Sequence, residues 1–124
     1  MRAEQYDPSW YVDSGCSGHM TGRRESLRDF RSIKNGGTIR YGNNGRSPLR
    51  GYGSITNGPV TIKRVAYVEG LQHNLISVSR LVVGTGNCIT FNDDGSRIIK
   101  NSTKEVLLHS PRQGPMFPLN LVPL

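Results

Sequence analysis

Asp13, Ser14 and Gly15 stand together directly after the apolar run Trp10-Tyr11-Val12. That order puts an acid, a hydroxyl and a glycine in one tight loop at the end of a β-prone segment. The loop can do chemistry in pairs. Two carboxylates brought within about 3 Å cannot both ionise, so one keeps a proton while the other activates a water molecule. A chain with one such loop supplies half of that dyad. Asp-Ser-Gly is also an ordinary surface turn, and the residues around it decide between the two uses.

Other reactive side chains offer less. His19 follows Cys16 by three positions and Cys88 is remote, a set without a fourth ligand or a second close pair, so no metal is expected. His19 and Met20 are expected to pack beneath the loop, with Cys16 as a small buried hydrophobe. Ser, His and Asp residues are all present, but no Gly-x-Ser-x-Gly elbow accompanies them. His73 is expected at the start of a helix and His109 on the surface.

The patterning then says what must position Asp13. Trp10 to Val12 reads as a strand that delivers the acid to its loop. After a polar stretch, Thr38 to Tyr41 alternates, Gly42-Asn43-Asn44-Gly45 tolerates positive φ, and Leu49 to Ile55 returns as extended chain, so a long hairpin is expected. Its few large apolar residues predict weak packing on the core. Val60-Thr61-Ile62 and Val65 to Val68 alternate in opposite phases, and the slip at Lys63-Arg64 predicts a bulge. Leu71, Leu75, Val78 and Val82 make the stripe of an amphipathic helix with Asn74 as N-cap. Cys88 to Phe91, the turn Asn92-Asp93-Asp94-Gly95, and Arg97 to Lys100 read as a second hairpin. Val106 to Leu108 and Phe117 to Leu121 are further strand candidates, the latter an edge because Pro118 cannot donate to a ladder.

The totals bound these readings. The chain has 124 residues, with 15 Gly, 7 Pro and 2 Cys, enough for one small domain rich in turns and β structure. Two cysteines are too few to staple a fold, which fits a reducing compartment. No run approaches the roughly 18 apolar residues of a membrane span, so a soluble, unsecreted chain with no membrane partner is expected. The net charge of +7 comes from 16 Lys and Arg spread from Arg2 to Arg112 without a basic run, which allows weak nucleic-acid contact through a basic surface.

Trp10-Tyr11-Val12-Asp13-Ser14-Gly15-Cys16-Ser17-Gly18-His19-Met20-Thr21 resembles the protease signature of copia-type long-terminal-repeat retrotransposon polyproteins. Val65-Ala66-Tyr67-Val68-Glu69-Gly70-Leu71-Gln72-His73-Asn74-Leu75-Ile76-Ser77-Val78-Ser79 is similar to that family's second block, and Gly42, Gly51 and Gly53 lie between them as in a glycine-rich flap. The resemblance implies an all-β fold with one short helix, a retropepsin-like acid-protease β-barrel giving one half-site per chain. It implies a protease domain over residues 9–122 after an N-terminal extension, residues 1–8.

It further implies a homodimer that cleaves polyprotein peptide inside the cell, in a virus-like particle, without cofactor. Asp13 would be the acid/base, Ser14 would brace the two loops, and Gly15 would let them approach. Gly42, Asn43, Asn44 and Gly45 would form the flap tip, and Leu71 to Val82 the helix beneath the catalytic loop. The alternative is a catalytically silent module of the same fold that dimerises or binds protein or nucleic acid through its basic surface.

Overall fold

In the computed structural model, which describes residues 9–13, 18–41, 45–58, 60–112 and 118–119, the apolar run at Trp10 forms β1 (Trp10–Asp13). Then come β2 (Met20–Thr21), a 3-10 turn (Arg24–Ser26), β3 (Arg28–Ser32), β4 (Thr38–Tyr41), β5 (Gly45–Thr56), β6 (Thr61–Val68) and β7 (Asn74–Ser77). The helix α1 (Val78–Val82) precedes β8 (Asn87–Asn92), β9 (Gly95–Lys100), β10 (Val106–Pro111) and β11 (Pro118–Leu119). The fold is all-β with one short helix, as the patterning requires.

The larger sheet runs β11-β1-β7-β2-β6-β5-β3, with β4 also on β5; the smaller one runs β10-β9-β8. The main sheet is apolar on both faces. Trp10, Ile55, Val60, Ile62, Val65, Ile76, Leu81 and Ile98 form one buried cluster, which reaches the small sheet through Ile98. Met20, Ala66, Val68 and Leu71 form a second, flanked by Ile39, Leu49, Tyr52 and Leu75. Neighbouring residues such as Leu75 and Ile76 therefore serve different clusters, as alternating side chains must.

Pairing with β1 corrects the expected helix. Residues 71–77 are not helical: Gly70 turns the chain at φ 85, and Asn74–Ser77 pairs in parallel with β1. The helical spacing came from three separate pieces of chain: Leu71 precedes β7, Leu75 lies in it, and Val78 and Val82 belong to α1. The N-cap of α1 is Ser77, not Asn74. His73 starts no helix; it is exposed before β7, its ring edge-on to Tyr11 at 6.5 Å. His109 is exposed, as expected.

The long hairpin is correct only in its outer half. β4 pairs with β5 from Thr38↔Pro48 to Tyr41↔Gly45, but Leu49–Thr56 lies between β6 and β3, and Ile55 is fully buried. Glycines that suggest a loose arm instead admit close neighbours. A Cβ on Gly53 would stand 2.9 Å from both the Arg28 carbonyl oxygen and Leu27 Cβ. The strand β3 that closes on these glycines has no alternating apolar pattern, so the sequence presents it as a polar stretch.

Elsewhere patterning and structure agree. Gly53 pairs with Val65 and Ile55 with Ile62, so Ser54 alone faces Lys63 and Arg64, and Arg64 takes φ 57. The second hairpin closes at Asn92↔Gly95. β11, with Pro118, is the outermost strand beside β1.

The sharpest glycine requirement is at Gly22, just after β2, where a Cβ would run into the Leu71 carbonyl. Gly22→Ala is expected to cost about 1–3 kcal/mol because backbone must shift. Gly18→Ala, with open space around its Cβ, should change stability by less than about 0.5 kcal/mol. Urea unfolding of the two variants measures the difference.

Candidate active site

Asp13 is the last residue of β1, and its position is fixed by what holds that strand. Trp10, three residues earlier, is buried to 1% exposure. Truncating such a side chain costs about 3–5 kcal/mol, a large share of a domain's net stability of about 5–15 kcal/mol. In register, Trp10 faces Asn74, Tyr11 faces Leu75, Val12 faces Ile76 and Asp13 faces Ser77. Parallel strands lack a tight turn to join them, so this register needs support from elsewhere.

Buried polar groups supply it at both ends of β7. At the start, Asn74 Oδ1 accepts from Thr21 Oγ1 at 2.5 Å, and its Nδ2 donates to the Ser9 carbonyl at 3.3 Å. Thr21 Oγ1 also accepts from the Arg23 N–H at 3.1 Å. At the end, beside Asp13, the Ser77 N–H donates to His19 Nδ1 at 3.0 Å, and the His19 carbonyl accepts from the Ala66 N–H at 2.9 Å. Ser77 Oγ accepts from the Arg80 N–H at 3.4 Å and shares a hydrogen bond with Ser79 Oγ at 3.2 Å. His19 is thus tied to both β7 and β6.

The bond fixes the state of the ring. A backbone N–H can only donate, so Nδ1 is the bare nitrogen and the ring proton sits on Nε2. Burial, reinforced by the Arg80 charge, lowers the His19 pKa from 6.5 to about 4. The imidazole is a neutral brace.

His19 and Met20 pack inside, as expected. Ser14, Gly15 and Cys16 lie outside the described residues, as do Gly42, Asn43 and Asn44. Gly45 opens β5 opposite Tyr41, on a hairpin separated from β1 by three strands of the sheet. Among the described residues, no three His, Cys, Asp or Glu side chains gather to hold a metal, and Cys88 is a half-buried free thiol. Sequence reasoning missed Ser77, Asn74 and Thr21. Their bonds span 53 to 65 residues of chain, and the only local hint was a polar residue at each end of an apolar run.

Chemically, the arrangement presents one carboxylate at the end of a strand whose register is locked by uncharged hydrogen bonds. A family model described as Pol polyprotein, beta-barrel domain, matches residues 10–87. A transposon Ty5-1 protein of Saccharomyces cerevisiae is 36% identical over 69 residues, which make up 56% of this chain and 47% of the yeast protein. The chain spans about half the length of that relative. No solved structure matches it.

The His19 brace has a pH signature. Above pH 6.5 folded and unfolded chains bind equally few protons at this site. Between 6.5 and about 4 the unfolded chain binds more, so stability falls as pH falls, and the loss levels off below about 4. His19→Ala should cost about 1–3 kcal/mol at pH 7, because the Ser77 N–H loses its acceptor, and should flatten the fall between 6.5 and 4. Denaturant unfolding at pH 7 and pH 5 checks both; the same pH slope in variant and parent would contradict the assignment.

Proposed function

We propose that this chain, which belongs to the Pol polyprotein beta-barrel domain family, is the aspartic endopeptidase half-site of a copia-type retrotransposon polyprotein. One observation carries the reading: the single Asp-Ser-Gly begins at the end of a strand anchored by Trp10 and held in register by β7. A strand so fixed can present its acid to a second copy with little freedom to lose, which is what a shared carboxylate pair requires.

In the dimer, a water molecule lies between the two Asp13 side chains. The ionised carboxylate takes a proton from the water as its oxygen attacks the scissile carbonyl carbon, and the protonated partner gives its proton to the carbonyl oxygen. Collapse of the tetrahedral intermediate breaks the C–N bond, with a proton passing to the leaving nitrogen. Ser14 and Gly15 brace and space the two loops. The β4–β5 hairpin, with its tip at Gly42, Asn43, Asn44 and Gly45, closes over an extended peptide. No metal or organic cofactor takes part. The substrate is the polyprotein that contains the domain.

Activity is expected to require two chains. Specific activity on a precursor containing the chain's own N-terminal junction should fall on dilution below the dimer dissociation constant, and a statine-type inhibitor should block it. Asp13→Asn should abolish cleavage while leaving the unfolding midpoint nearly unchanged, because the amide matches the carboxylate in shape but accepts no proton. The pH profile should be bell-shaped, with two apparent pKa values that belong to the pair. Full activity at every dilution, or cleavage by Asp13→Asn, would overturn the reading.

A further inference from the structure

Residues 23–64 contain ten Arg and Lys against two acids, Glu25 and Asp29, a net charge of +8; the rest of the chain nets −1, against +7 overall. The charge that looks scattered along the sequence therefore belongs to one stretch, and the fold places that stretch at the β3 end of the main sheet. We propose that this end binds single-stranded nucleic acid.

Three features support it beyond the charge. Gly51 and Tyr52 are consecutive on β5, so they face opposite sides of the sheet. On the Gly51 side stands Tyr67, whose ring meets Phe30 edge-on at 6.0 Å, and the Arg24 guanidinium lies 4.6 Å from the Phe30 ring centre. On the Tyr52 side, opposite Arg31, the Arg64 guanidinium lies 4.2 Å from the tyrosine ring centre. Each side of the β3 edge thus carries an exposed guanidinium held over a half-buried aromatic ring. Such a group has already lost much of its rotamer freedom, and its outer face can take a phosphate or a stacked base.

The second feature is backbone. Arg64 sits at φ 57, a conformation that costs a residue with a Cβ roughly 1 kcal/mol and that glycine or asparagine would accept more readily. The third is the cross-strand pair Arg40↔Arg46 on the β4–β5 hairpin, both exposed. Like charges directly opposite each other destabilise a ladder, and an anion between them removes the repulsion. Eight of the ten basic residues are arginines, which suits phosphate forks and base stacking better than a diffuse attraction. The surface shares the β4–β5 hairpin with the proteolytic reading, but the Arg24–Phe30 and Arg64–Tyr52 pairs do not depend on it, so the surface would survive the failure of that reading.

The test is fluorescence anisotropy of the full chain with labelled 12-nucleotide oligo(U) and oligo(dT), with competition by polyphosphate of equal charge and by phosphatidylserine vesicles. Arg31→Gln with Arg64→Gln should weaken oligonucleotide binding at least tenfold at about 50 mM salt. It should also reduce the slope of log affinity against log salt by about 1.4, since each phosphate contact on a single strand contributes roughly 0.7. Lys100→Gln with Lys104→Gln, which removes the same charge from the small sheet and the turn after β9, should weaken it less than threefold. Arg64→Lys, which keeps the charge, should weaken oligonucleotide binding and leave polyphosphate binding unchanged. A preference for oligo(U) or equal binding of both strands supports the surface and tells which strand it takes. Equal loss in the two double variants, or competition by polyphosphate or vesicles as strong as that by oligonucleotide, would overturn it and leave the charges as protection of an exposed strand edge.

Discussion

β7 is four residues long, yet it bonds to β1 on one side and β2 on the other, so the placement of Asp13 passes through it. Its middle, Leu75 and Ile76, supplies apolar contact to both faces of the sheet. Its ends, Asn74 and Ser77, are closed by buried hydrogen bonds from Thr21 and to His19. Leaving any of these groups without its partner costs about 1–3 kcal/mol, whereas a one-residue slip of β7 would strand several at once and turn Leu75 and Ile76 to the wrong faces. Register is fixed by the penalty for the alternatives more than by the strength of any one bond.

A charged brace in this position would tie the loop's geometry to pH throughout the physiological range. Burial keeps His19 neutral down to about pH 4, so its bond to Ser77 holds through the physiological range. In the proposed dimer the acid limit would have two origins, the shared carboxylates and the loss of the His19 bond, and they separate because His19→Ala removes only the second.

Some of this was legible in the sequence because it is local. The strand ending at Asp13, the slip at Lys63-Arg64, the Asn92 to Gly95 turn and the edge set by Pro118 each follow from a few adjacent residues. The failures are equally physical. Residues 74–77 read as helix because Leu75 falls in step with Leu71 before the strand and with Val78 and Val82 in α1 after it, and β3 went unseen because Arg28 and Arg31 expose their side chains at an edge. Leu49 to Ile55 read as a loose arm because glycine looks the same whether it faces solvent or a strand packed against it. Of the site, Asp13 could be placed by reading along the chain, but its supports could not: Ser77 and Asn74 meet His19 and Thr21 only after the fold closes. The charge, by contrast, is already concentrated in the sequence over residues 23–64, and β3, β5 and β6 carry that stretch to one end of the sheet.

In the proposed enzyme one chain holds half a catalytic pair, completed by a second copy. Two copies joined end to end by a flexible linker isolate that claim from the dimer's affinity, because the second half-site is then always present. The joined wild-type pair should cleave the precursor at a rate per molecule that dilution does not change, and the joined pair with Asp13→Asn in one copy only should be inactive under the same conditions. Cleavage by that single-acid pair at more than a small fraction of the wild-type rate would contradict the account.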